Sequence, residues 1–371
     1  MTSFAFIFGV LPIETAPSRS LGDWGDCSRR HSLTCNSVPN PSSMNTLKVP
    51  LFRMLVVLAI CLSLANCSKK LKPMPIFGRH LHGVWVRDDS EVWVVGNTGF
   101  IVYSNNGGTN WQLQVSGTIQ ALQLIYGSGS ELWTVGVGGT ILHSTDGQTW
   151  KPQSSGTKRA LYSLFGSDSL LIAVGNLGVI LLSNDGGQHW QQQKNITTAS
   201  LNGVSGSGAQ WWVVGQRGTI LHSVDSGRTW QQQAGGVTAA LRCVYSDGDH
   251  VCVGGFGGTI LVSSDGGEHW HSSDSGTKDT LTSICGSGSH LWTVGTDGTI
   301  IYSADGGEHW KSQMSGTPHH LEEVRGGVRR LGALGYGSII LHSNLWAVGY
   351  GSTILHSNDG GENWMRNPVG D

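Results

Sequence analysis

Ser183-Asn-Asp185-Gly-Gly187-Gln-His-Trp190 is one of seven copies of a phrase, Ser-x-Asp-x-Gly-x-x-Trp, that recurs about every forty residues. Asn106 replaces the aspartate in the first copy, and the copy that begins at Ser144 is one residue short. A repeat of this period is typical of stacked or ring-closed arrays, because no single unit can bury its apolar face alone. Seven copies therefore predict seven blades. The aspartate position is occupied by Asn106, Asp146, Asp185, Asp225, Asp265, Asp305 and Asp359, and the tryptophan position by Trp111, Trp150, Trp190, Trp230, Trp270, Trp310 and Trp364.

Bulk composition narrows the class of protein. The 371 residues include 55 glycines and 15 tryptophans, and only 13% are charged. Short strands joined by tight turns, with aromatic side chains between sheets, have this composition, and a single propeller domain can reach this length. The glycines have no three-residue period, which excludes collagen. A formal net charge of −2 gives no general attraction to polyanions, so we expect no nucleic-acid partner.

One repeat predicts the structure of a blade. Between residues 281 and 317, four runs rich in β-branched and aromatic residues, 281–285, 290–294, 299–303 and 310–313, are separated by glycine-rich turns. Such runs favour a four-stranded antiparallel meander in which the repeated phrase forms the turn between the third and fourth strands. We therefore predict an all-β, seven-bladed β-propeller over residues 80–371. Six other leucines begin the same pattern: Leu81, Leu122, Leu161, Leu201, Leu241 and Leu321.

The repeated phrase, an Asp-box, has a structural and a metal-binding interpretation. The aspartate carboxylate and the serine hydroxyl can accept hydrogen bonds from turn amides, and the glycine adopts positive φ without steric cost. The tryptophan is expected to pack the hairpin onto its blade, and Asn106 keeps the acceptor. A calcium site needs about six to eight oxygen ligands, whereas each copy offers one carboxylate. We predict a structural role, with no metal and no cofactor.

Residues 44–67 have the pattern of a secretory signal. A basic stretch precedes an apolar run of about a dozen residues, which is too short for a comfortable membrane span. Leu64-Ala65-Asn66-Cys67 resembles a bacterial lipoprotein box with Cys67 as the lipidated residue, although Asn66 differs from the small residue usual there. Cleavage after Ala65 by the ordinary signal peptidase is the alternative. We expect an exported protein, anchored in the bacterial cell envelope (periplasmic face or outer membrane), that touches the membrane only through this lipid.

Residues 1–43 lie outside the signal pattern. They contain scattered prolines and acids and lack a period, and Met44 begins a complete signal, so we interpret them as a misassigned start or a disordered leader. A plastid targeting sequence is the alternative, but Glu14, Asp23 and Asp26 count against it because transit peptides are poor in acids. Residues 68–79 are interpreted as a linker to the propeller.

Three of the seven cysteines, Cys243, Cys252 and Cys285, lie within the predicted propeller. Cys252 occupies the position that Trp292 fills one repeat later, so we predict that it is a buried apolar substitute. A Cys243–Cys252 disulfide across one hairpin is the alternative in an exported protein.

The last repeat breaks the period. The interval from Trp310 to Trp364 is the longest between box tryptophans, because residues 331–344 are followed by a near-copy, residues 345–358. Trp346 fills the usual tryptophan position in the second copy, whereas Gly332 does so in the first. We predict that one copy completes the last blade and that the other is extruded at the rim or poorly ordered.

No catalytic residues are predicted. The box carboxylates occupy equivalent positions around a ring, so they cannot approach to the roughly 5–10 Å that glycosidase pairs require. The sequence contains no nucleophile elbow, phosphate loop or zinc motif. Four histidines that precede a box serine are dispersed by the repeat in the same way and are interpreted as structural: His143, His222, His342 and His356.

The phrase Trp-x-Val-Gly…Gly-Thr-Ile-Leu-His-Ser-x-Asp-Gly-Gly-x-x-Trp resembles propellers of the photosystem II stability/assembly factor family, and its last part resembles the wider bacterial neuraminidase repeats. The resemblance covers about residues 80–366. It implies an exported, non-enzymatic seven-bladed propeller that binds a protein partner, such as a membrane-protein assembly intermediate, in the thylakoid lumen if the organism is photosynthetic.

The resemblance also implies that binding uses the loops on the face opposite the boxes. Basic residues on those loops resemble a weak version of the family's basic binding face, and the alternative is that they are ordinary solvated charges. They are Lys158, Arg159, Lys194, Arg217, Lys278, His319 and His320.

Two other function classes stay open. A sialidase-type glycoside hydrolase would need an arginine cluster that holds a carboxylate, and the Arg-Ile-Pro phrase of that family is missing. A surface protein that binds glycans or mediates adhesion is compatible with the same sequence. Glycoside hydrolysis, pull-down of a membrane protein and a glycan array distinguish the three classes.

Overall fold

The computed structural model describes residues 79–88, 90–167, 169–326 and 344–367. In these ranges, seven four-stranded antiparallel sheets are each built from four consecutive strands. The prediction of an all-β, seven-bladed propeller is confirmed. No helix in these ranges is long and apolar enough to cross a membrane.

Each blade contributes an inner strand, two middle strands and a short outer strand. Blades one to four contain β1 Leu81–Val86, β2 Val92–Gly96, β3 Phe100–Ser104, β4 Gln112–Gln114, β5 Leu122–Ser128, β6 Glu131–Gly136, β7 Ile141–Ser144, β8 Lys151–Gln153, β9 Leu161–Ser167, β10 Leu170–Gly175, β11 Ile180–Ser183, β12 Gln191–Gln192, β13 Leu201–Ser207, β14 Gln210–Gly215, β15 Thr219–Ser223 and β16 Gln231–Ala234. Blades five to seven contain β17 Leu241–Ser246, β18 Val251–Gly255, β19 Thr259–Ser263, β20 His271–Asp274, β21 Leu281–Ser287, β22 His290–Gly295, β23 Ile300–Ser303, β24 Lys311–Gln313, β25 Leu321–Gly326, β26 Leu345–Gly349, β27 Thr353–Ser357 and β28 Met365–Arg366.

The hydrophobic core is divided among the interfaces between blades. Each apolar cluster joins residues of two neighbouring blades; Trp133 of blade two, for example, shares a cluster with Leu171 and Trp190 of blade three. The second strand of a blade, such as β2, is buried along its whole length. Its sequence is therefore a continuous apolar run rather than an alternating one, because both faces of the sheet are covered.

The ring closes between blades seven and one. The backbone N–H of Val84 donates to Oε2 of Glu323 over 2.8 Å, and Nε of Arg325 donates to Oε1 over the same distance. Glu323 is only 4% exposed. Burial raises the pKa of Glu323, and the charge of Arg325 opposes that shift. The inner strands surround a central channel of about 660 Å³.

The second copy of the duplicated segment supplies the middle strands of the last blade, β26 and β27, and Trp346 is fully buried there. The first copy, like the leader, the signal segment and Cys67, lies outside the described residues, so its extrusion stays a prediction. Cys252 is buried as expected. Cys243 and Cys252 are free thiols, so the disulfide alternative was wrong.

Candidate partner-binding face

The two ends of the propeller carry different loops. The Asp-boxes and the turns between first and second strands lie at one end, which we call the box face. The turns between second and third strands and the crossovers to the next blade lie at the other, which we call the opposite face. This division follows from the antiparallel order of each sheet.

Each box uses its polar groups on its own backbone. Ser183 Oγ donates to Asp185 Oδ1 over 2.8 Å and accepts from the N–H of Gly187 over 2.9 Å. Asp185 Oδ1 also accepts from the N–H of His189 over 2.9 Å. At this site the serine and the aspartate each accept a hydrogen bond from a turn amide, which is compatible with the structural role predicted for them.

The two variant boxes keep this chemistry in altered form. Asn106 Oδ1 accepts from Ser104 Oγ and from the N–H of Asn110, each over 2.9 Å, so the first blade forms its turn as expected. In the shortened box, Asp146 Oδ1 accepts from the N–H groups of Gln148 and Thr149. One missing residue therefore changes which amides are bound and leaves the turn in place.

The box also packs on the preceding blade, which the sequence analysis did not predict. Gly187 has a φ of +85°, and a Cβ there would lie 2.6 Å from Nε1 of Trp133 in the blade before it. Trp190 joins the same interface cluster. The tryptophan thus joins two blades rather than only fastening its own hairpin.

The box carboxylates are poor candidates for acid–base catalysis. Hydrogen bonds from the backbone and side chain of His189 and from Ser183 lower the pKa of Asp185 to about 2. A catalytic acid at neutral pH needs a raised pKa instead. Asp265, Glu268 and His269 form an exposed group with metal-ligating atoms, but Nδ1 of His269 already lies 2.6 Å from Asp265 Oδ2.

The histidines before the box serines are structural. Their rings stack on the tryptophan of the neighbouring strand, with centroid separations of 5.0 Å for His143 and Trp133 and 4.6 Å for His222 and Trp212. His356 stacks on Trp346 at 4.3 Å. His342 lies outside the described residues.

On the opposite face, the turns between second and third strands share one backbone design. In blade three, the N–H of Asn176 donates to the carbonyl of Ala160 over 2.9 Å. Gly178, the third turn residue, has a φ of +72°, and a Cβ there would lie 1.9 Å from the carbonyl oxygen of Thr197. Both ends of this turn are therefore fixed, the second one by a contact that only glycine permits here. In blade seven Ser352 takes the equivalent position with a φ of 59°.

The middle residue of each turn, which we call the tip, is free to vary. All seven tips have positive φ. Leu177, Arg217 and Asp297 adopt it as L-residues, with φ of 53°, 59° and 55°. The seven tips in blade order are Thr98, Gly138, Leu177, Arg217, Gly257, Asp297 and Gly351.

The structure brings four of the predicted basic residues together on neighbouring blades. Lys158 and Arg159 lie on the crossover from blade two to three, Lys194 on the next crossover and Arg217 on the tip of blade four, and all four are exposed. The loops of this face between residues 137 and 240 contain no aspartate or glutamate. We call these loops the basic sector.

The other three predicted residues lie apart from the basic sector. Lys278 lies between Asp274 and Asp279 in sequence, on the crossover to blade six. His320 Nδ1 accepts from the N–H of Asp297 over 3.0 Å and lies 3.6 Å from its carboxylate. His319 is exposed on the same crossover. Acidic neighbours thus accompany the basic residues of blades five to seven.

Apolar side chains on the same face were missed by the sequence analysis. Leu177 is 49% exposed and Ile196 is 41% exposed, both within the basic sector. Val137 is also exposed there, and Ile119 and Phe256 flank the sector. Alignment of the repeats could have found Ile196, which replaces the glycine of the other crossovers, and Leu177, which replaces the glycine of three other tips.

Comparisons with known proteins agree with this architecture. A sequence model of the photosystem II assembly factor YCF48 family matches residues 164–235, within blades three and four. No curated protein matches the chain. The chain therefore resembles photosystem II assembly factors in the blades that carry Leu177, Lys194, Ile196 and Arg217.

Solved structures share the fold at low sequence identity. YCF48 from Cyanidioschyzon merolae superimposes with a TM-score of 0.62 and 17% identity, covering 77% of this chain and 98% of that protein. YCF48 bound to D1 peptide gives 0.60 and 17%, covering 76% and 93%. The GH74 xyloglucanase from Xanthomonas campestris gives 0.61 and 14%, covering 81% of this chain and 56% of the enzyme.

Proposed function

We propose that this protein is a non-enzymatic scaffold that binds a protein partner through its opposite face, in the manner of an assembly factor. The observation that carries the proposal is the construction of that face. Its turns are held by backbone contacts at both ends, whereas their tips differ from blade to blade. A surface of varied side chains on a rigid support loses little conformational entropy when it binds.

The class of partner is supported by two observations. The family model matches the two blades that form most of the basic sector. A structurally similar propeller, YCF48, has been solved bound to a D1 peptide. We extend this mode of binding to the present chain, with a segment of a membrane-protein assembly intermediate as the partner.

A hydrolase is less well supported. The xyloglucanase shares the fold, and this chain covers only about half of that enzyme. In this chain Asp185 is bonded to its own turn and has a pKa lowered to about 2, so it would not act as a general acid.

Peptide binding tests the proposal. The full chain is titrated against a labelled D1 peptide, and fluorescence anisotropy reports the dissociation constant. The double variant Lys158→Glu, Arg217→Glu should weaken binding by at least about tenfold, because two favourable charge contacts become repulsive. Lys151→Glu, Lys311→Glu, with exposed charge reversals at the box ends of β8 and β24, is the matched double control and should change affinity less than about twofold.

Three outcomes would contradict the proposal. Equal loss of affinity in both variants would show that the opposite face is not the binding surface. Hydrolysis of glycosides by the wild-type protein would show that it is an enzyme. Binding to a glycan array without binding to peptide would favour the adhesion class.

Export and lipidation at Cys67 are part of the proposal, since a lipid anchor would hold the scaffold beside membrane-protein intermediates. Labelled palmitate should be incorporated into the wild-type protein and lost in Cys67→Ala. Incorporation that survives this substitution would exclude Cys67 as the anchor, and no incorporation at all would leave ordinary cleavage after Ala65 as the explanation.

A further inference from the structure

We infer that the basic sector binds a peptide segment that carries acidic side chains beside apolar ones, and that Leu177 and Arg217 are its two strained contact residues. The inference rests on the proposed function and specifies the chemistry of the partner. The charge and the exposed apolar surface of the sector support it, and backbone strain at its two L-residue tips adds to them.

Left-handed strain occurs at exposed tips of the opposite face: Thr98 and Asp297, outside the sector, share it with Leu177 and Arg217. Leu177 and Arg217 hold left-handed φ values of 53° and 59°, a conformation that is unfavourable for an L-residue. The same tip is glycine in blades two, five and seven, so the turn itself does not require a side chain. Leu177 is 49% exposed, so only part of its side chain is packed against the fold. Strained residues that the fold does not need are expected at binding sites.

The positive charge of the basic sector indicates that the partner segment is negatively charged. Lys158, Arg159, Lys194 and Arg217 are accompanied by no acid in the loops of the sector. Arg217 Nη2 donates to Thr198 Oγ1 over 3.3 Å, which orients the guanidinium; its other N–H groups have no partner among the described residues. A planar guanidinium with free N–H groups suits a carboxylate.

Arg159 has a supporting part in the same sector. Its Nη1 donates to the carbonyl of Leu177 over 3.1 Å, and Asn195 approaches that carbonyl at 3.5 Å. The strained tip of blade three is therefore held by side chains of the two flanking crossovers. This arrangement restrains the backbone from which the Leu177 side chain projects.

Exposed apolar side chains favour a peptide over a small anion. Leu177, Ile196 and Val137 lie among the basic residues, and Ile119 and Phe256 flank them. A small anion would use the charges and leave this apolar area in water, whereas a peptide with alternating acidic and apolar side chains would cover both.

The remainder of the face argues against an anionic membrane as the ligand. Asp274, Asp279 and Asp297 lie on the loops of blades five and six at the same end of the propeller. A flat membrane that touched the basic sector would bring anionic headgroups close to these acids, which is unfavourable. A narrow peptide over blades two to four avoids them.

Selection from a random peptide library tests the inference. The immobilised full chain is panned, and enriched peptides are synthesised and titrated by fluorescence anisotropy against the wild type, Leu177→Gly and Arg217→Gly. We expect enriched peptides to combine Asp or Glu with aliphatic or aromatic residues. Each glycine variant should weaken their binding by about tenfold, the effect of losing one interface anchor. Asp297→Gly, the same change at a tip outside the sector, should leave affinity unchanged.

Thermal unfolding of the three glycine variants separates binding from folding. All three should unfold at or above the wild-type temperature, because glycine relieves the left-handed strain. Lost affinity in a variant of undiminished stability identifies a contact residue rather than a structural one.

The outcomes distinguish this inference from the proposed function. Enriched acidic–apolar peptides whose affinity does not change in Leu177→Gly and Arg217→Gly would overturn the inference and leave the scaffold intact. Enrichment of basic peptides would do the same. Binding to vesicles of phosphatidylglycerol and phosphatidylcholine with no enriched peptide would overturn both.

Discussion

The box face and the opposite face are made by the same seven blades, yet the side chains of the box turns recur from blade to blade, whereas those of the tips vary. On the box face the serine, aspartate and second glycine recur, and each contacts its own turn or the preceding blade. On the opposite face the third turn residue is fixed by a backbone contact, whereas the tips include threonine, leucine, arginine, aspartate and glycine. Repetition therefore marks where the fold constrains a side chain, and variation marks where the surface is available for binding.

Substitutions at two adjacent residues of one turn should change the free energy of unfolding in opposite directions. This difference is the largest effect we expect. Gly178→Ala should lower the free energy of unfolding by about 3–4 kcal/mol, because left-handed strain adds to a Cβ contact with the Thr197 carbonyl. Leu177→Gly, one position earlier, should change it by less than about 1 kcal/mol and in the stabilising direction. Urea denaturation measures both. If both substitutions lowered the free energy of unfolding equally, the tip and the third turn residue would not differ in how the fold constrains them.

On the box face, two adjacent glycines of one box distinguish the stability cost of a contact between blades from the cost of left-handed strain alone. Gly187→Ala should destabilise by about 2–3 kcal/mol, because its Cβ would meet Trp133 of the neighbouring blade. Gly186→Ala is the matched control: its φ is +69° and nothing lies within 4 Å of its Cβ, so about 1 kcal/mol is expected. If both variants lost the same stability, contact between blades through the box would be unimportant.

Most of the fold could be predicted from the repeat. The period gave the seven blades, whereas the choice between the two copies in the last blade was left open and came from the positions of β26 and β27. Boundaries were less accurate: β21 extends to Ser287, two residues beyond the predicted strand, because Gly288 at positive φ closes a tighter turn. Packing of the box on the previous blade was not predictable from one repeat, since it depends on how neighbouring sheets face each other.

The candidate site was only partly predictable. The antiparallel meander assigns every loop to an end of the ring, so Lys158 and Arg217 could be placed on one face from the sequence. The strain at Leu177 required φ values. The acids beside Lys278 are adjacent in the sequence, whereas the contact of His320 with Asp297 required the fold. The charge of each loop was thus readable from the sequence, whereas backbone strain and contacts between loops were not.

A smaller effect concerns the box carboxylates. Asp185→Ala should cost about 1 kcal/mol, comparable with loss of a helix cap, because its turn amides lose their acceptor. Asp185→Asn should cost only a few tenths, since Asn106 performs the same task in blade one. Thermal unfolding at neutral pH compares the two. A loss in Asp185→Asn as large as in Asp185→Ala would show that the charge, rather than the acceptor, holds the turn.

The same carboxylates predict acid sensitivity of the box face. The folded-state pKa values of Asp185 and Asp305 are lowered to about 2, below their ordinary value of 3.8. Their stabilising contribution is therefore complete above about pH 4 and is lost as the pH falls towards 2. The unfolding temperature of Asp185→Asn should fall less steeply over this interval, and that of the Asp185→Asn, Asp305→Asn double variant less steeply still. Parallel curves for all three proteins would contradict this assignment.

A small effect is also expected where the opposite face already carries a glycine tip. Gly257 has a φ of +66° with nothing within 4 Å of its Cβ, so Gly257→Leu should cost only the left-handed strain, partly offset by a less flexible unfolded chain. A loss of about 0.5–1 kcal/mol in urea denaturation is the expected result, against about 3–4 kcal/mol for Gly178→Ala. If Gly257→Leu instead lowered the free energy of unfolding as strongly as Gly178→Ala, the tips would be constrained by the fold. The leucine of blade three and the arginine of blade four would then need a structural explanation rather than a binding one.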